Sequence, residues 1–73
     1  MRVSEFWECM DTAFGSRGRS LAADLVLVEL RSRTAVEALE AGIEPRQIWD
    51  AMCTEMELPD RYRHLHRIDA QDR

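Results

Sequence analysis

The chain has 73 residues, of which 45% are apolar and 33% are charged, and its formal net charge at pH 7 is −4. A chain of this length forms one domain with a small core, and three glycines and two prolines are too few for a low-complexity chain. No segment approaches the ~18 apolar residues of a membrane span, and the N-terminal MRVSEFWECMD lacks the apolar run of a signal peptide, so we expect a cytoplasmic protein.

The first helix is predicted from Glu5 to Phe14. Ser4 is a suitable N-cap because its hydroxyl can accept from the free N–H groups of the first turn, and Gly15 can take the positive φ that ends a helix. One face of this helix is apolar and is made by Phe6, Met10, Ala13 and Phe14, with Trp7 beside them.

The segment after the loop GSRGR is compatible with a helix or a strand. Ser20 can cap a helix that reaches about Leu30, with a core stripe of Leu21, Ala22, Leu25 and Val28. The run LVLV at residues 25–28 is apolar all round, which is also typical of a buried strand. We favour the helix, because the pattern is longer than a usual strand and we find no second strand to pair with it. The surplus apolar residue, Val26 or Leu27, then faces another helix or another molecule.

Two further helices are predicted from capping signals. Thr34 and Glu37 form a capping box, in which each side chain accepts from the other residue's backbone N–H, and the helix runs from Ala35 to Ala41 before Gly42. Pro45 suits the first turn of a fourth helix that reaches about Glu57. Its inward side chains are Ile48, Trp49, Met52, Cys53 and Met56.

These elements predict an all-α fold, a compact bundle of four short helices in which helices three and four form a helix-turn-helix-like pair. The single helical domain covers residues 1–59. Residues 60–73 form a charged tail that is either frayed or a short fifth helix, with Tyr62, Leu65 and Ile68 at three-residue spacing.

The stretch TAVEALEAGIEPRQIWDAM, residues 34–52, raises the question of DNA binding. Its small residues, turn glycine and apolar positions suit a helix-turn-helix. Its charge does not: residues 34–59 carry six acids against one arginine, a balance that repels phosphates. DNA binding is therefore the alternative function, and its candidate contacts are Arg31, Arg33, Arg46 and Gln47.

No motif indicates metal binding, a cofactor or catalysis. The soft ligands are Cys9, Cys53, His64 and His66, and the cysteines are 44 positions apart with no C-x-x-C knuckle. Both cysteines lie in apolar helical patterns that are typical of reduced core thiols. No nucleophile motif and no Gly-rich phosphate loop is present, so we expect no enzyme activity and no small-molecule substrate.

The leading expectation is a small, non-enzymatic protein-interaction or regulatory module that self-associates or binds an unidentified protein. Tryptophan is a favoured anchor at interfaces, and Trp7 and Trp49 each lie beside an apolar stripe. The candidate partner surface combines an apolar edge with the acidic fourth helix, and its residues are Trp7, Leu27, Trp49 and Asp50.

The segments MRVSEFWECMDTAFG, ADLVLVEL, RTAVEALEAGIEPRQIWDAMC and LPDR resemble an actinobacterial family of small proteins, domain of unknown function 3046. The resemblance covers roughly residues 1–63 and implies no established activity. Its members are often encoded near the recombinase gene and its regulator, which implies a link to DNA repair by neighbourhood alone. Members commonly have Gly-Gly where this chain has Arg31-Ser32.

Overall fold

The computed structural model describes residues 1–63, and this part of the chain is mainly helical. Its α-helices are α1 (Val3–Phe14), α2 (Gly18–Asp24), α3 (Ala35–Glu40), α4 (Pro45–Glu55) and α5 (Asp60–Arg63). Two short strands, β1 (Val26–Leu27) and β2 (Arg33–Thr34), pair antiparallel, and 3₁₀ turns cover Gly15–Arg17 and Val28–Leu30. The helical character is thus confirmed, while the all-α expectation is corrected by a small sheet. The predicted tail positions Leu65 and Ile68 lie outside the described residues.

Helix α1 ends where the sequence predicts and begins earlier than expected. It starts at Val3, so Ser4 lies inside the helix and is not its N-cap. The carboxylate of Glu5 instead accepts from the backbone N–H of Arg2 at 2.7 Å, which satisfies one free donor at the helix start. At the other end, Gly15 has φ 62°, a left-handed value that glycine adopts without steric cost.

The second predicted helix is wrong beyond Asp24. Val26 pairs with Thr34 and Leu27 pairs with Arg33, so the missing second strand is the segment directly before α3. Because side chains alternate along a strand, Leu27 points into the core. Val26 is 46% exposed and Val28 is 71% exposed. Val28 is therefore not a core residue. The expected N-cap Ser20 lies within α2, which begins at Gly18.

The turn that joins the two strands has an uncommon backbone. Arg31 and Ser32 have φ of 58° and 61°, values at which any side chain meets the following carbonyl oxygen. The Ser32 N–H donates to the carbonyl of Leu27 at 3.1 Å, and the Arg31 N–H donates to that of Val28 at 3.2 Å. These bonds keep two non-glycine residues in a conformation that favours glycine.

Helices α3 and α4 have the expected starts. The capping box is confirmed, since the Glu37 N–H donates to Thr34 Oγ1 at 3.2 Å and the Thr34 N–H donates to the Glu37 carboxylate at 2.9 Å. Pro45 opens α4 as predicted. Helix α4 ends at Glu55, two residues before the expected end. It ends there because Glu57 has a left-handed φ of 54° and the Leu58 N–H donates to the carbonyl of Cys53 at 2.9 Å.

The core lies between α1 and α4 and is closed on one side by α2, α3 and the hairpin. Its largest fully buried side chains are Trp49, Phe6, Met10, Leu27, Ile48, Met52 and Cys53. Gly18 sets the distance between α1 and α2, because a Cβ there would lie 3.0 Å from the backbone oxygen of Met10. The sequence pattern assigned this glycine to a loop, whereas it is a packing residue.

Replacing Arg31 and Ser32 with glycine is expected to stabilise the fold. Removing both side chains relieves the clash that a left-handed backbone imposes, and glycine adds entropy to the unfolded chain. The first effect is larger, so the free energy of unfolding should rise by about 1 kcal/mol in total. Urea unfolding of the double variant R31G/S32G measures this gain. The matched control R31A/S32A removes the same polar groups and keeps the clash, so its stability stays near the parent value. A less stable glycine variant would contradict the account of this turn.

Candidate functional site

Two residues of the predicted partner surface are core residues. Leu27 and Trp49 have no exposed surface, so neither is available to another molecule in the folded chain. Leu27 points inward because it is the inward position of β1. The prediction that Trp49 points inward from α4 is confirmed: the ring of Phe6 packs edge-on against it with the ring centroids 6.4 Å apart, and its Nε1–H donates to the carbonyl of Tyr62 at 2.7 Å. Its place beside the apolar stripe, which suggested a partner anchor, does not make it accessible. Neither Leu27 nor Trp49 can therefore contact a partner in the folded chain.

Trp7 and Asp50, the other two residues of the predicted partner surface, are partly exposed, and each contacts an arginine of the same chain. Trp7 is half-buried, and the guanidinium of Arg19 lies 4.7 Å from its ring centroid, a cation–π geometry that covers one ring face. The carboxylate of Asp50 lies 3.9 Å from Arg63 Nη1. The predicted set therefore does not form one exposed surface.

The candidate DNA contacts lie on two elements. Arg31 is exposed and Arg33 is half-buried in the hairpin, while Arg46 and Gln47 are in the first turn of α4, half-buried and exposed respectively. Within residues 1–63 the three arginines form no ion pair with a carboxylate.

The outer face of α4 is crossed by the side chain of Arg63 from α5. Its Nη2 donates to Thr54 Oγ1 at 2.7 Å and its Nη1 donates to the backbone oxygen of Asp50 at 3.4 Å. Thr54 and Asp50 are one turn apart on the face opposite the core. The face that a recognition helix would present to the major groove is thus occupied in its second half by the same chain.

An exposed apolar groove lies where the C-terminal ends of α1 and α4 approach α2. It encloses about 250 Å³, and its lining residues are Ala13, Phe14, Arg17, Leu21 and Met56. Met56 is 37% exposed, although the helical pattern predicted it to point inward. We refer to these five residues as the α1–α4 groove. Four of its five side chains are apolar, which is the composition that protein partners or apolar ligands fill.

Sequence reasoning missed this groove because its residues come from four separate segments: α1, the Gly15–Arg17 turn, α2 and the residue after α4. Ala13, Phe14 and Leu21 were placed in core stripes, and Arg17 was placed in a loop. Only the position of Met56, one residue beyond the last turn of α4, carries a local signal that its side chain is not fully covered.

The family model of a protein of unknown function (DUF3046) matches residues 1–61. The chain belongs to this family. The match confirms the family resemblance and ends two residues before Arg63, so it includes every residue of the α1–α4 groove. No curated protein and no solved structure matches the chain.

Among residues 1–63, no three His, Cys, Asp or Glu side chains come close enough to share a metal ion. The predicted soft ligands His64 and His66 lie outside the described residues. The helices of the described part are too short and too polar for any of them to cross a bilayer.

The two cysteines are buried free thiols. Burial raises the pKa of the Cys53 thiol from 9.0 to about 11, since desolvation disfavours the thiolate more than the nearby Arg63 favours it. A thiol with this pKa is protonated at neutral pH and is a poor nucleophile. Cys53 is therefore a packing residue of α4 and not a reactive centre.

Cys53 is expected to resist alkylation until the chain unfolds. At pH 8, a pKa of about 11 gives a thiolate fraction roughly a hundredfold below that of the unfolded chain, with a thiol pKa of 9.0. Iodoacetamide kinetics on a Cys9→Ala variant, with and without denaturant, measures the difference. Because the folded pKa is raised, Cys53 also makes stability fall as pH rises from about 9 to about 11. Equal alkylation rates in native buffer and in denaturant would contradict this assignment.

Proposed function

We propose that this chain is a non-enzymatic protein-interaction module that uses the α1–α4 groove as its binding surface. The observation that carries the proposal is the groove itself, a mainly apolar concavity on the surface of a small domain. The acids Glu55 and Glu57 flank Met56 in the chain and are exposed, and both belong to the acidic fourth-helix surface that the sequence predicts. The predicted cytoplasmic location is consistent with this role.

The side chains that line the groove are of the kinds that bind protein partners. Phe14 and Met56 offer an aromatic ring and a flexible thioether, and methionine adapts its shape to different partners. Arg17 adds one cation to an apolar lining, and within residues 1–63 no carboxylate pairs with it. An apolar centre with a charged group at its edge is the usual anatomy of a protein interface.

The substitution Met56→Asp tests the proposal, because it places a charge in the apolar lining of the groove at a residue outside the buried core. We expect the tagged parent protein to retain a defined set of proteins from its native cells, with at least tenfold loss of that set for M56D. Val28→Asp is the matched control: it puts the same charge on a more exposed valine of the hairpin and should retain the set.

Equal melting temperatures of the three proteins would exclude misfolding as the cause of a loss. The proposal fails if the same proteins, or none, are retained by the parent, by M56D and by V28D.

A DNA-binding helix-turn-helix regulator is the second candidate, and the α3–α4 pair is the observation that favours it. Gly42 has φ 86° in the turn, and the small residues Ala38 and Ala51 are buried as a close helix pair requires. The family resemblance links this candidate to DNA repair by gene neighbourhood alone. The acidic charge of residues 34–59 and the position of Arg63 across α4 weigh against it.

Salt dependence separates the two candidates. Fluorescence anisotropy with labelled duplex DNA at about 50 and about 200 mM salt should detect no salt-sensitive binding if the chain is a protein-interaction module. Binding at the lower salt that collapses at the higher, and that weakens in the variants R33A and R46A but not in R61A, would favour the DNA-binding candidate.

A further inference from the structure

The outer face of α4 holds the guanidinium of Arg63 between two residues that are one turn apart. Its Nη2 donates to Thr54 Oγ1 at 2.7 Å, and its Nη1 donates to the backbone oxygen of Asp50 at 3.4 Å. The Asp50 carboxylate lies 3.9 Å from the same Nη1. A hydroxyl, a carbonyl and a carboxylate therefore surround one guanidinium. We refer to Thr54 and Asp50 as the guanidinium site of α4.

The spacing of these oxygens is selective for arginine. A guanidinium is a planar fork with five N–H donors, so two of its nitrogens can bond to two acceptors at once. The site uses the fork in this way, since Nη1 and Nη2 of Arg63 donate to different residues of α4. A lysine has a single nitrogen at the end of its side chain, and that nitrogen cannot occupy both donor positions.

Arg63 can leave this site without unfolding of the chain. Its side chain is 32% exposed and that of Asp50 is 44% exposed, so water screens their ion pair and makes it weak. The backbone of α5 has a separate attachment, because the Trp49 indole N–H donates to the carbonyl of Tyr62 at 2.7 Å. Rotation of the Arg63 side chain alone is therefore enough to empty the guanidinium site.

We propose that the guanidinium site is a docking site for an arginine of another protein, and that Arg63 is its internal competitor. Charge favours such a partner, because residues 34–59 carry six acids against one arginine and attract a basic segment. The chemistry that the site accepts is that of Arg63, which occupies it. This inference goes beyond the α1–α4 groove, since neither Thr54 nor Asp50 lines that groove.

The internal competitor sets a threshold for the partner. Helix α5 holds Arg63 next to the site, so this arginine competes at an effective concentration in roughly the millimolar range. A single arginine on a free peptide is too weak to displace it, and a partner must add further contacts beside α4. Removal of the Arg63 guanidinium should therefore open the site to an arginine that the parent protein excludes.

A peptide titration of the full chain tests the proposal. The probes are the tripeptides Gly-Tyr-Arg and Gly-Tyr-Lys, blocked at both ends and added up to about 20 mM at low salt, where charges are least screened. Shifts of the Thr54 and Asp50 amides in ¹H–¹⁵N NMR spectra measure occupation of the site. We expect R63A to bind the arginine peptide at least tenfold more tightly than the lysine peptide, and at least tenfold more tightly than the parent binds it.

Two control variants separate the site from its surroundings. R61A removes the neighbouring arginine, which lies over the ring of Tyr62 at 5.4 Å from its centroid, and should respond as the parent does. R63A/D50N/T54V removes the carboxylate charge and the hydroxyl of the site, so it should lose the arginine preference of R63A. The melting temperature of each variant verifies that it is folded.

Three results would overturn the proposal: equal binding of the two peptides by R63A, equal binding of the arginine peptide by R63A and the parent, or no binding by R63A. The outcome is independent of the test of the groove, because M56D changes none of the atoms that contact Arg63. A guanidinium site that fails leaves the α1–α4 groove untouched, and a groove that fails leaves the guanidinium site untouched.

Discussion

The burial of the Trp49 indole is the constraint on which the rest of the structure depends. The ring packs edge-on against Phe6 of α1, and its N–H donates to the carbonyl of Tyr62 in α5 at 2.7 Å. An indole N–H left without an acceptor in the core would cost about 1–3 kcal/mol. The chain after Pro59 turns back beside α4, and this path brings the Tyr62 carbonyl to the indole. One side chain thus joins three helices.

This return path determines which surfaces remain open. Because α5 runs back beside α4, Arg63 reaches Thr54 and Asp50 and covers part of the outer face of α4. Within residues 1–63 the C-terminal end of α4 receives no such cover, and Met56 is exposed beside Phe14 and Leu21. The same packing that closes the core on one side of α4 leaves the α1–α4 groove at its end, and the proposed function follows from that asymmetry.

Local signals in the sequence predicted three of the helix ends, whereas the Ser4 and Ser20 caps were wrong and the long-range contacts were missed. The capping box at Thr34, the glycine stop at residue 15 and the proline start of α4 each depend on neighbours within a few residues, and all three are present. The hairpin was missed because its strands have two residues each, and its turn uses Arg31 and Ser32 where left-handed backbone favours glycine. Periodicity placed Trp49 inward correctly. Its hydrogen bond to α5 and the α1–α4 groove depend on where α5, α1 and α2 pack, which periodicity along one helix cannot show.

The most direct test is hydrogen exchange of the Trp49 indole N–H, followed in ¹H–¹⁵N NMR spectra of the parent protein. The account predicts that this N–H exchanges slowly with solvent, because it donates to the carbonyl of Tyr62 within the folded chain. An indole N–H that exchanges as fast as in an unfolded chain would contradict the core described for this protein.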